Sequence, residues 1–315
     1  MFVRTNKRAA CLLSLFLVLI TYSANTLAQN DPNTLSIGLV SNKAKENIAH
    51  FQPLMDLLAQ KLGYQSGEVR ICNSYAELAS LAESGEIDLT SASTYSALIL
   101  EQHHGINILA KRWKYGLGSY HSVFFSLRTS SINSLDDLVG KTIVFERNTS
   151  TSAYFLPMID LLNQGYQVQH LSSPNIKPDA NKIGYVFIQD HLQRTDEINM
   201  SLWVLKGLVD ACAFSNDNWQ THQSMPVNIQ ARMNIFYRTN EIPRNFVSAS
   251  PKLDSETAQK IQDILISLHL EPHGKPILDA LQSTTKFETL SDSDQKVMDS
   301  ARDQISNILA LASNP

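Results

Sequence analysis

The chain has 315 residues, of which 43% are hydrophobic and 18% charged, and its formal net charge is −4. These fractions are typical of a globular protein and exclude a disordered or collagen-like chain. A mildly acidic chain without a basic stripe is also a poor candidate for binding nucleic acid or an anionic membrane. The length is sufficient for two domains of ordinary size.

The first 28 residues have the three parts of a secretory signal peptide. Residues 1–8 carry three positive charges and no negative one, an apolar run extends from Ala9 to about Ile20, and small and polar residues lead to Ala28. The apolar run is shorter than the roughly 20 residues that span a bilayer, so a cleaved signal is favoured over a membrane anchor. We therefore expect export and cleavage after Ala28. Cys11 lies at the start of the apolar run, which is the wrong place for a lipid-modified N-terminal cysteine.

Cys72 and Cys212 are the two cysteines that follow the predicted signal peptide. Two cysteines far apart in sequence do not make a disulfide framework, so we interpret them as small buried hydrophobes, and a single bridge between them stays open. The neighbours His103 and His104 are interpreted as surface residues, because adjacent positions on a helix do not face one site. The sequence contains no metal, nucleotide or nucleophile motif, which predicts no cofactor and no catalytic residue.

The first third of the chain alternates apolar strands with helices. Apolar residues at helical spacing end at Gly63, which predicts the end of the first helix. Ser74 is in capping position for the second helix, and Ser91–Tyr95 resembles a turn. In chain order, the predicted strands are 34–40, 68–72, a strand that follows Asp88, and 106–109, and the predicted helices are 48–62, one that begins after Ser74, and 96–103.

The alternation restarts after Tyr120. The predicted strands are 121–127, 141–145, 184–188, 209–213 and 234–237, and the predicted helices are 134–138, one from about 152 to 163, and 199–206. Residues 172–182 predict a long loop or insertion, Ile242-Pro243 a turn, and 255–269 and 292–311 amphipathic helices. Two series of such units predict an α/β protein with two similar lobes, each a mainly parallel sheet flanked by helices.

The chain is expected to cross between the lobes twice, on crossover hinge strands near Tyr120 and Tyr237. The predicted first lobe therefore comprises residues 29–120 and 237–315, and the second lobe residues 121–236. Ligands of open α/β sheets bind outside the carboxyl ends of the strands, where helix N-termini point. The sequence thus predicts a ligand site between the lobes.

Residues Asn148–Ser152, here called the hydroxyl segment, lie between an apolar strand and a helix. All five are polar and four carry hydroxyls. A helix N-terminus has unpaired backbone N–H groups and a partial positive charge, and hydroxyls there add donors. Together they form a cradle for a tetrahedral oxyanion without lysine or arginine. Ordinary capping needs only one Ser or Thr, so binding and capping both stay open for this segment.

The stretch Phe145–Pro157, with Ser150-Thr151-Ser152, resembles the Ser-Thr-Ser-Gly segment of the phosphonate/phosphite-type substrate-binding proteins of ABC transporters. Further motifs of that family follow in the expected order over nearly all of the exported chain. These are Phe51–Leu54 with Leu62-Gly63, Ser74–Ala76, Gly85–Asp88, Tyr120–Ser122, Ser134–Lys141, Gly207–Ala211 and Ile242-Pro243. The resemblance implies a two-lobed periplasmic-binding-protein clamp, monomeric and without catalysis, that closes on a phosphonate, phosphite or related oxyanion for an ABC permease.

By position, the resemblance implies that Ser150, Thr151 and Ser152 bind the oxyanion. It also implies that Tyr75 and Tyr120 line the cleft, with half-buried packing as an equal alternative for both rings. Tyr95, at the end of the turn-like segment, is a further candidate for ligand binding.

Two departures from the family pattern affect the ligand. Thr195-Asp196-Glu197 stands where the family commonly has Gly-Ser-His, and Ala153 replaces a glycine. A carboxylate cannot donate to an oxyanion at neutral pH and repels a dianion at roughly 4 Å by about 4 kcal/mol. Either the ligand has a cationic group that Glu197 meets, or it is not a phosphonate, or Glu197 points to solvent. Asp217 and Asn245 fall roughly where aminophosphonate-binding members contact the amine, so an amine-bearing zwitterion is one hypothesis.

Three functions are compatible with this sequence. The first is a transport receptor that delivers its ligand to a permease, and the second is a periplasmic sensor of the same fold that acts on a membrane signalling protein. The sequence does not separate these two. The third, an enzyme on the same fold, is disfavoured because neither Ser150 nor Ser152 has an identifiable histidine partner.

Overall fold

The computed structural model describes residues 33–192 and 197–313. The predicted signal peptide, Thr195 and Asp196 lie outside this range. In the described part of the chain, no helix is both long and apolar enough to cross a membrane. The same part forms two six-stranded sheets, a two-stranded ribbon and flanking helices.

The bounds of the elements are as follows. The strands are β1 (Thr34–Val40), β2 (Ser66–Cys72), β3 (Leu89–Ser93), β4 (Asn107–Arg112), β5 (Ser119–Tyr120), β6 (Ser122–Leu127), β7 (Thr142–Phe145), β8 (Val168–His170), β9 (Ile183–Phe187), β10 (Ala211–Ser215), β11 (Met233–Arg238), β12 (Ile242–Pro243), β13 (Asn245–Ala249) and β14 (Phe287–Glu288). The helices are α1 (Ala44–Leu62), α2 (Tyr75–Ser84), α3 (Thr94–His104), α4 (Leu156–Asn163), α5 (Glu197–Leu205), α6 (Asn216–Gln220), α7 (Val227–Gln230), α8 (Ser255–Ser267), α9 (Gly274–Ala280) and α10 (Asp292–Ser313).

The first sheet has the order β14-β4-β13-β3-β1-β2. β1 pairs in parallel with β2 and β3, whereas β13 and β14 run antiparallel to their neighbours. The apolar side chains of β1 pack on α1, and Gly38 on the opposite face lets α2 approach closely. A Cβ at Gly38 would lie 2.4 Å from the Leu78 side chain. Helices therefore cover both faces of this sheet, which explains the nearly continuous burial of β1.

The second sheet has the order β11-β6-β10-β7-β9-β8. Its strands β10, β7, β9 and β8 are parallel, and β6 and β11 are antiparallel to their neighbours. The predicted loop at 172–182 connects β8 to β9. The helix predicted at 134–138 is a single 3-10 turn at Asp136–Leu138.

The predicted α/β class is confirmed, and the second sheet is mainly parallel as predicted, whereas most pairings of the first sheet are antiparallel. The reason lies mainly in β13, a strand that the sequence analysis missed, which enters the first sheet between β3 and β4 and antiparallel to both. The predicted turn at Ile242-Pro243 is wrong, because these residues form β12 and pair with β5. The predicted turn at Ser91–Tyr95 is wrong as well, since its residues end β3 and begin α3.

The chain passes between the sheets in two segments that lie side by side. It leaves the first sheet after β4 and the second sheet after Arg238, and it returns to the first sheet at Asn245. The ribbon pairs Ile242 with Tyr120 and Pro243 with Ser119. The lobe boundaries given above stay a prediction, although Tyr237 lies within β11 of the second sheet.

Cys72 and Cys212 are free and buried, which agrees with their interpretation as small hydrophobes. Cys72 ends β2 in the first sheet, and Cys212 lies in β10 of the second. Burial raises the pKa of the Cys72 thiol to about 11. His103 is exposed, and His104 is half-buried with Nδ1 2.8 Å from Glu83 Oε1, as expected for surface histidines.

Two aspartates of the family-like motifs have structural roles in the sheets. Asp88 Oδ2 accepts hydrogen bonds from the backbone N–H (2.8 Å) and the hydroxyl (2.9 Å) of Ser36 in β1. Asp210 Oδ2 likewise accepts from the backbone N–H of Thr142 (2.8 Å) at the start of β7. Each aspartate thus joins the entry of one strand to its neighbour.

Asp88→Ala is expected to lower the free energy of unfolding by about 2 kcal/mol, because Ser36 is fully buried and loses two hydrogen bonds. Urea denaturation measures this loss. Asp263→Ala, at an exposed position of α8, serves as the control and should change the free energy by less than about 0.5 kcal/mol. Equal values for the two variants would contradict a structural role for Asp88.

Candidate functional site

A cleft of about 450 Å³ lies between the two sheets. It is formed where β1 and β2 of the first sheet and β7 and β9 of the second end. Its lining residues are Val40–Asn42, Asn73–Tyr75, Arg147–Thr149 and Gln189. These are carboxyl ends of parallel strands, the location predicted for a ligand. A separate groove of about 310 Å³ between α4, α10 and the second crossover is not lined by the carboxyl ends of parallel strands.

Ser150 caps the helical segment that follows it. Its Oγ accepts a hydrogen bond from the backbone N–H of Ala153 (3.2 Å). A π-helical turn at Thr151–Phe155 then leads into α4. The Ser122 hydroxyl donates to the carbonyl oxygen of Ser152 (2.7 Å), which attaches the hydroxyl segment to β6. The capping role left open for this segment is therefore filled by Ser150.

Thr151 connects the two sheets. Its Oγ1 accepts a hydrogen bond from the backbone N–H of Tyr95 (3.0 Å) and donates to Ser93 Oγ (3.1 Å). Ser93 precedes α3 and makes no side-chain cap of its own, so the hydroxyl from the second sheet supplies an acceptor at the start of α3. The Tyr95 ring stacks on Phe155 with centroids 4.1 Å apart. These contacts bury Thr151 and Tyr95, each with 2% of its surface exposed.

The other two candidate tyrosines occupy different surroundings. Tyr75 lines the cleft, where burial raises the pKa of its hydroxyl, while the hydroxyls of Ser96 and Ser93 lower it by a smaller amount. Tyr120 is buried, which raises its pKa to about 12 although Arg244 and the hydroxyls of Thr151 and Ser152 act against this shift. Tyr120 therefore lies on the buried side of the hydroxyl segment, and Tyr75 lies on the side that faces the cleft.

Three cations that the sequence analysis missed meet near the ribbon of β5 and β12. We call Arg112, Lys114 and Arg244 the crossover cluster. The Arg244 guanidinium lies over the rings of Tyr120 (5.1 Å) and Tyr115 (5.6 Å). The Lys114 ammonium also lies over the Tyr115 ring, 5.3 Å from its centroid. In the sequence, only their positions distinguish these residues: Arg112 and Lys114 precede the predicted crossover near Tyr120, and Arg244 follows the one near Tyr237.

The candidate residues Glu197, Asp217 and Asn245 lie near this cluster. Asp217 accepts a hydrogen bond from Arg244 Nη2 (2.8 Å), and Glu197 accepts one from Asn218 Nδ2 (2.6 Å). Glu197 is half-buried, so it does not simply point to solvent. Asn245 begins β13, in register with Ser93 of β3 and Arg112 of β4.

The charges of the cluster act on Lys114 in particular. Burial, and then the proximity of Arg112 and Arg244, lower the pKa of Lys114 to about 7. Asp217 and Glu197 raise it by smaller amounts. Repulsion from the two arginines thus outweighs the attraction of the two carboxylates at this ammonium group.

Comparisons with known proteins agree with this architecture. The family model of the ABC transporter phosphonate periplasmic substrate-binding proteins matches residues 37–295. The structure of XAC2383 from Xanthomonas citri bound to chloride ion is 26% identical, with a TM-score of 0.82 over 88% of this chain and 99% of that chain. XAC2383 bound to ATP gives 26% identity and a TM-score of 0.81 over 88% of this chain and 98% of that chain.

A more distant structure has the same fold. PhnD1 from Prochlorococcus marinus (MIT 9301), in complex with methylphosphonate, is 16% identical, with a TM-score of 0.63 over 88% of this chain and 99% of that chain. The resemblance found in the sequence motifs is confirmed by the family match, which covers most of the chain. The chain therefore belongs to the family of periplasmic substrate-binding proteins of phosphonate ABC transporters.

Proposed function

We propose that this protein is exported with cleavage near Ala28, captures a small oxyanion between its two lobes in the periplasm, and delivers it to an ABC permease. The observation that carries the proposal is the convergence of two helix N-termini on one cleft. Asn73–Tyr75 at the start of α2 and Arg147–Thr149 ahead of the Thr151 turn line the same 450 Å³. Helix N-termini favour anions through their free N–H groups and partial positive charge.

Capture follows from the contacts between the lobes. A ligand that touches both walls of the cleft binds the form in which Thr151 meets α3 better than a form in which they are apart. The ligand then shifts the population toward the closed clamp by its difference in affinity for the two forms.

The ligand class is supported by what related proteins bind. Methylphosphonate and ATP, each bound to one of the compared proteins, both carry tetrahedral phosphorus oxyanions, and chloride is also an anion. We therefore propose that this chain binds an anion, and we assign no particular ligand to it.

The amine-bearing zwitterion is the less favoured ligand, because the carboxylates that would meet the amine have protein partners. Asp217 is paired with Arg244, and Glu197 accepts from Asn218. Comparison of an aminoalkylphosphonate with its deaminated analogue tests this choice. Glu197→Ala should leave the ratio of the two affinities unchanged. A selective loss of affinity for the amine-bearing ligand would instead support the zwitterion hypothesis.

Thermal unfolding against a panel of ligands tests the proposed function. The panel contains phosphate, phosphite, alkylphosphonates, aminoalkylphosphonates, sulfonates and amino acids. A ligand that binds only the folded protein stabilises it by RT ln(1 + [L]/Kd), about 2.7 kcal/mol at a hundred times Kd. We expect a marked shift with one phosphorus oxyanion and recovery of that ligand unchanged. The absence of any shift, or chemical conversion of the ligand, would contradict the proposal.

A further inference from the structure

The crossover cluster contains buried donors without acceptors. Nε and Nη1 of Arg112 and Nη1 of Arg244 are buried and have no hydrogen-bond partner among the described residues. Buried polar atoms are rarely left unpaired, because the loss of their hydration is not compensated. A guanidinium also keeps its charge at neutral pH, so these donors cannot be neutralised by losing a proton. They call for an acceptor that carries negative charge.

The charge balance of the cluster leads to the same requirement. Asp217 compensates Arg244 at 2.8 Å. Arg112 has 2% of its surface exposed, and its Nη2 donates to the neutral Gln282 side chain (3.0 Å). No carboxylate forms an ion pair with Arg112 within residues 33–192 and 197–313. A buried cation without a counter-ion is unfavourable, and an anion beside it would remove that cost.

The backbone next to the cluster adopts an uncommon conformation. Tyr115, Gln282 and Ser283 have φ of 53°, 50° and 50°, and no other non-glycine residue in the described ranges has positive φ. The three residues are neighbours, since the Tyr115 N–H donates to the Gln282 carbonyl oxygen (3.3 Å). Backbone strain of this kind concentrates at ligand and active sites. Here the strained residues lie in two adjoining loops: Tyr115 follows Lys114, and Gln282 accepts a hydrogen bond from Arg112.

We propose that Arg112, Lys114 and Arg244 form an anion subsite for one oxyanion group of the phosphate or sulfate type. The subsite is distinct from the cleft, because none of the three residues lines it. The inference rests on the proposed function and deepens it. It adds a second, cationic anion site to the one for which the sequence predicted only hydroxyls and backbone N–H groups. An oxyanion suits the site because guanidinium groups form strong charge-assisted hydrogen bonds with oxyanions.

The subsite is tested by the sulfate dependence of thermal unfolding at constant ionic strength. Arg112→Met should weaken sulfate binding by at least about tenfold. Its stability without sulfate should change little, because the loss of the hydrogen bond to Gln282 and of the contact with the Phe51 ring is offset by the removal of a buried cation that has no counter-ion. A merely structural arginine would instead lower that stability. Arg128→Met, at an exposed arginine directly after β6, is the control for the general stabilising effect of sulfate and should behave as the wild type.

Arg244→Lys provides a second variant if Arg112→Met does not fold. The lysine can keep the ion pair with Asp217 but lacks the unpartnered Nη1 donor, so sulfate binding should weaken while the fold is retained. Identical sulfate responses in the wild type, in Arg112→Met and in Arg244→Lys would overturn the subsite. If the ligand panel still yields a bound oxyanion in that case, the proposed function stands and only the subsite fails. If no anion binds the wild type, both fail.

The pH dependence gives an independent readout. The groups around Lys114 are Arg112, Arg244, Tyr115, Asp217 and Glu197. Sulfate keeps its charge near neutrality, whereas Lys114 loses its proton as the pH rises through about 7. Sulfate affinity should therefore fall as the pH rises through this value, and Lys114→Met should flatten the profile. A wild-type affinity that does not change with pH would contradict a role for Lys114 in the subsite.

Two sources could supply the oxyanion group, and a competition experiment separates them. The cleft is first saturated with the ligand found in the panel, and sulfate is then added. Additive stabilisation means that the subsite takes a free anion. A loss of affinity for the panel ligand in Arg112→Met means that the subsite takes a second anionic group of that ligand.

Discussion

Lys111→Met is expected to lower the free energy of unfolding by about 3–5 kcal/mol, the range observed when one partner of a buried ion pair is removed. Lys111 is buried in β4, and its Nζ lies 2.8 Å from Asp294 of α10 and 2.9 Å from Glu288 of β14. The substitution leaves Asp294 without this cation, although Glu288 keeps Lys286. Urea denaturation measures the change in free energy.

The control is a lysine in an exposed pair. Lys275 lies 2.9 Å from Asp279 one helical turn away on α9, and Lys275→Met should change the free energy of unfolding by less than about 0.5 kcal/mol. A loss below about 1 kcal/mol for Lys111→Met would mean that this buried ion pair contributes little to the attachment of α10.

The same ion pairs make stability depend on acid. Burial raises the pKa of Glu288, but hydrogen bonds from Lys286 and Lys111 outweigh it and lower the pKa from 4.5 to about 2. The folded protein therefore holds this proton less tightly than the unfolded chain. The stabilisation is complete above pH 4.5 and is lost as the pH falls toward about 2. The loss over this window should be smaller in Lys111→Met, and an unchanged pH profile would contradict the assignment.

Thr151→Val is expected to weaken binding of the panel ligand by about tenfold without unfolding either lobe. Valine has nearly the same shape but no hydroxyl, so the Tyr95 N–H would lose its acceptor when the lobes meet. An unpaired buried N–H costs about 1–3 kcal/mol, and this cost falls on the closed form alone. Titration calorimetry measures the affinity, and small-angle scattering without ligand should give a larger radius of gyration.

Thr151→Ser is the matched control, because it keeps the hydroxyl and should retain most of the affinity. If Thr151→Val weakens binding while the scattering is unchanged, the hydroxyl contacts the ligand directly and does not hold the lobes together. Wild-type affinity and scattering in both variants would contradict any role of Thr151 in closure.

Local sequence patterns were sufficient to predict the elements of the first sheet that carry their own signals. β1 matches its predicted bounds because Leu35, Ile37 and Leu39 alternate with small residues, and α1 ends at Gly63, which adopts a left-handed φ of 83°. Ser74 caps α2 by accepting from the Glu77 N–H (3.1 Å). β13 carries no such signal, because Asn245 and Ser248 interrupt its apolar residues and its pairing depends on β3 and β4, which are distant in sequence.

Local sequence patterns likewise indicated one part of the candidate site and not the other. The hydroxyl segment stood out because its polar residues are consecutive, and the structure uses Ser150 and Thr151 in specific hydrogen bonds. Arg112 and Arg244 are far apart in sequence and come together only because β13 places Asn245 beside Arg112. No local pattern carries that pairing, and it could not be found without the topology of the first sheet.

Hydrogen exchange at the Tyr95 backbone amide is the most direct test of capture between the lobes. This amide donates across the interface to Thr151, so its exchange rate reports how often the lobes separate. Saturation with the panel ligand is predicted to slow this exchange by at least about tenfold, while amides in the centre of β1 change much less. An exchange rate at Tyr95 that is the same with and without bound ligand would contradict closure of the lobes on a captured anion.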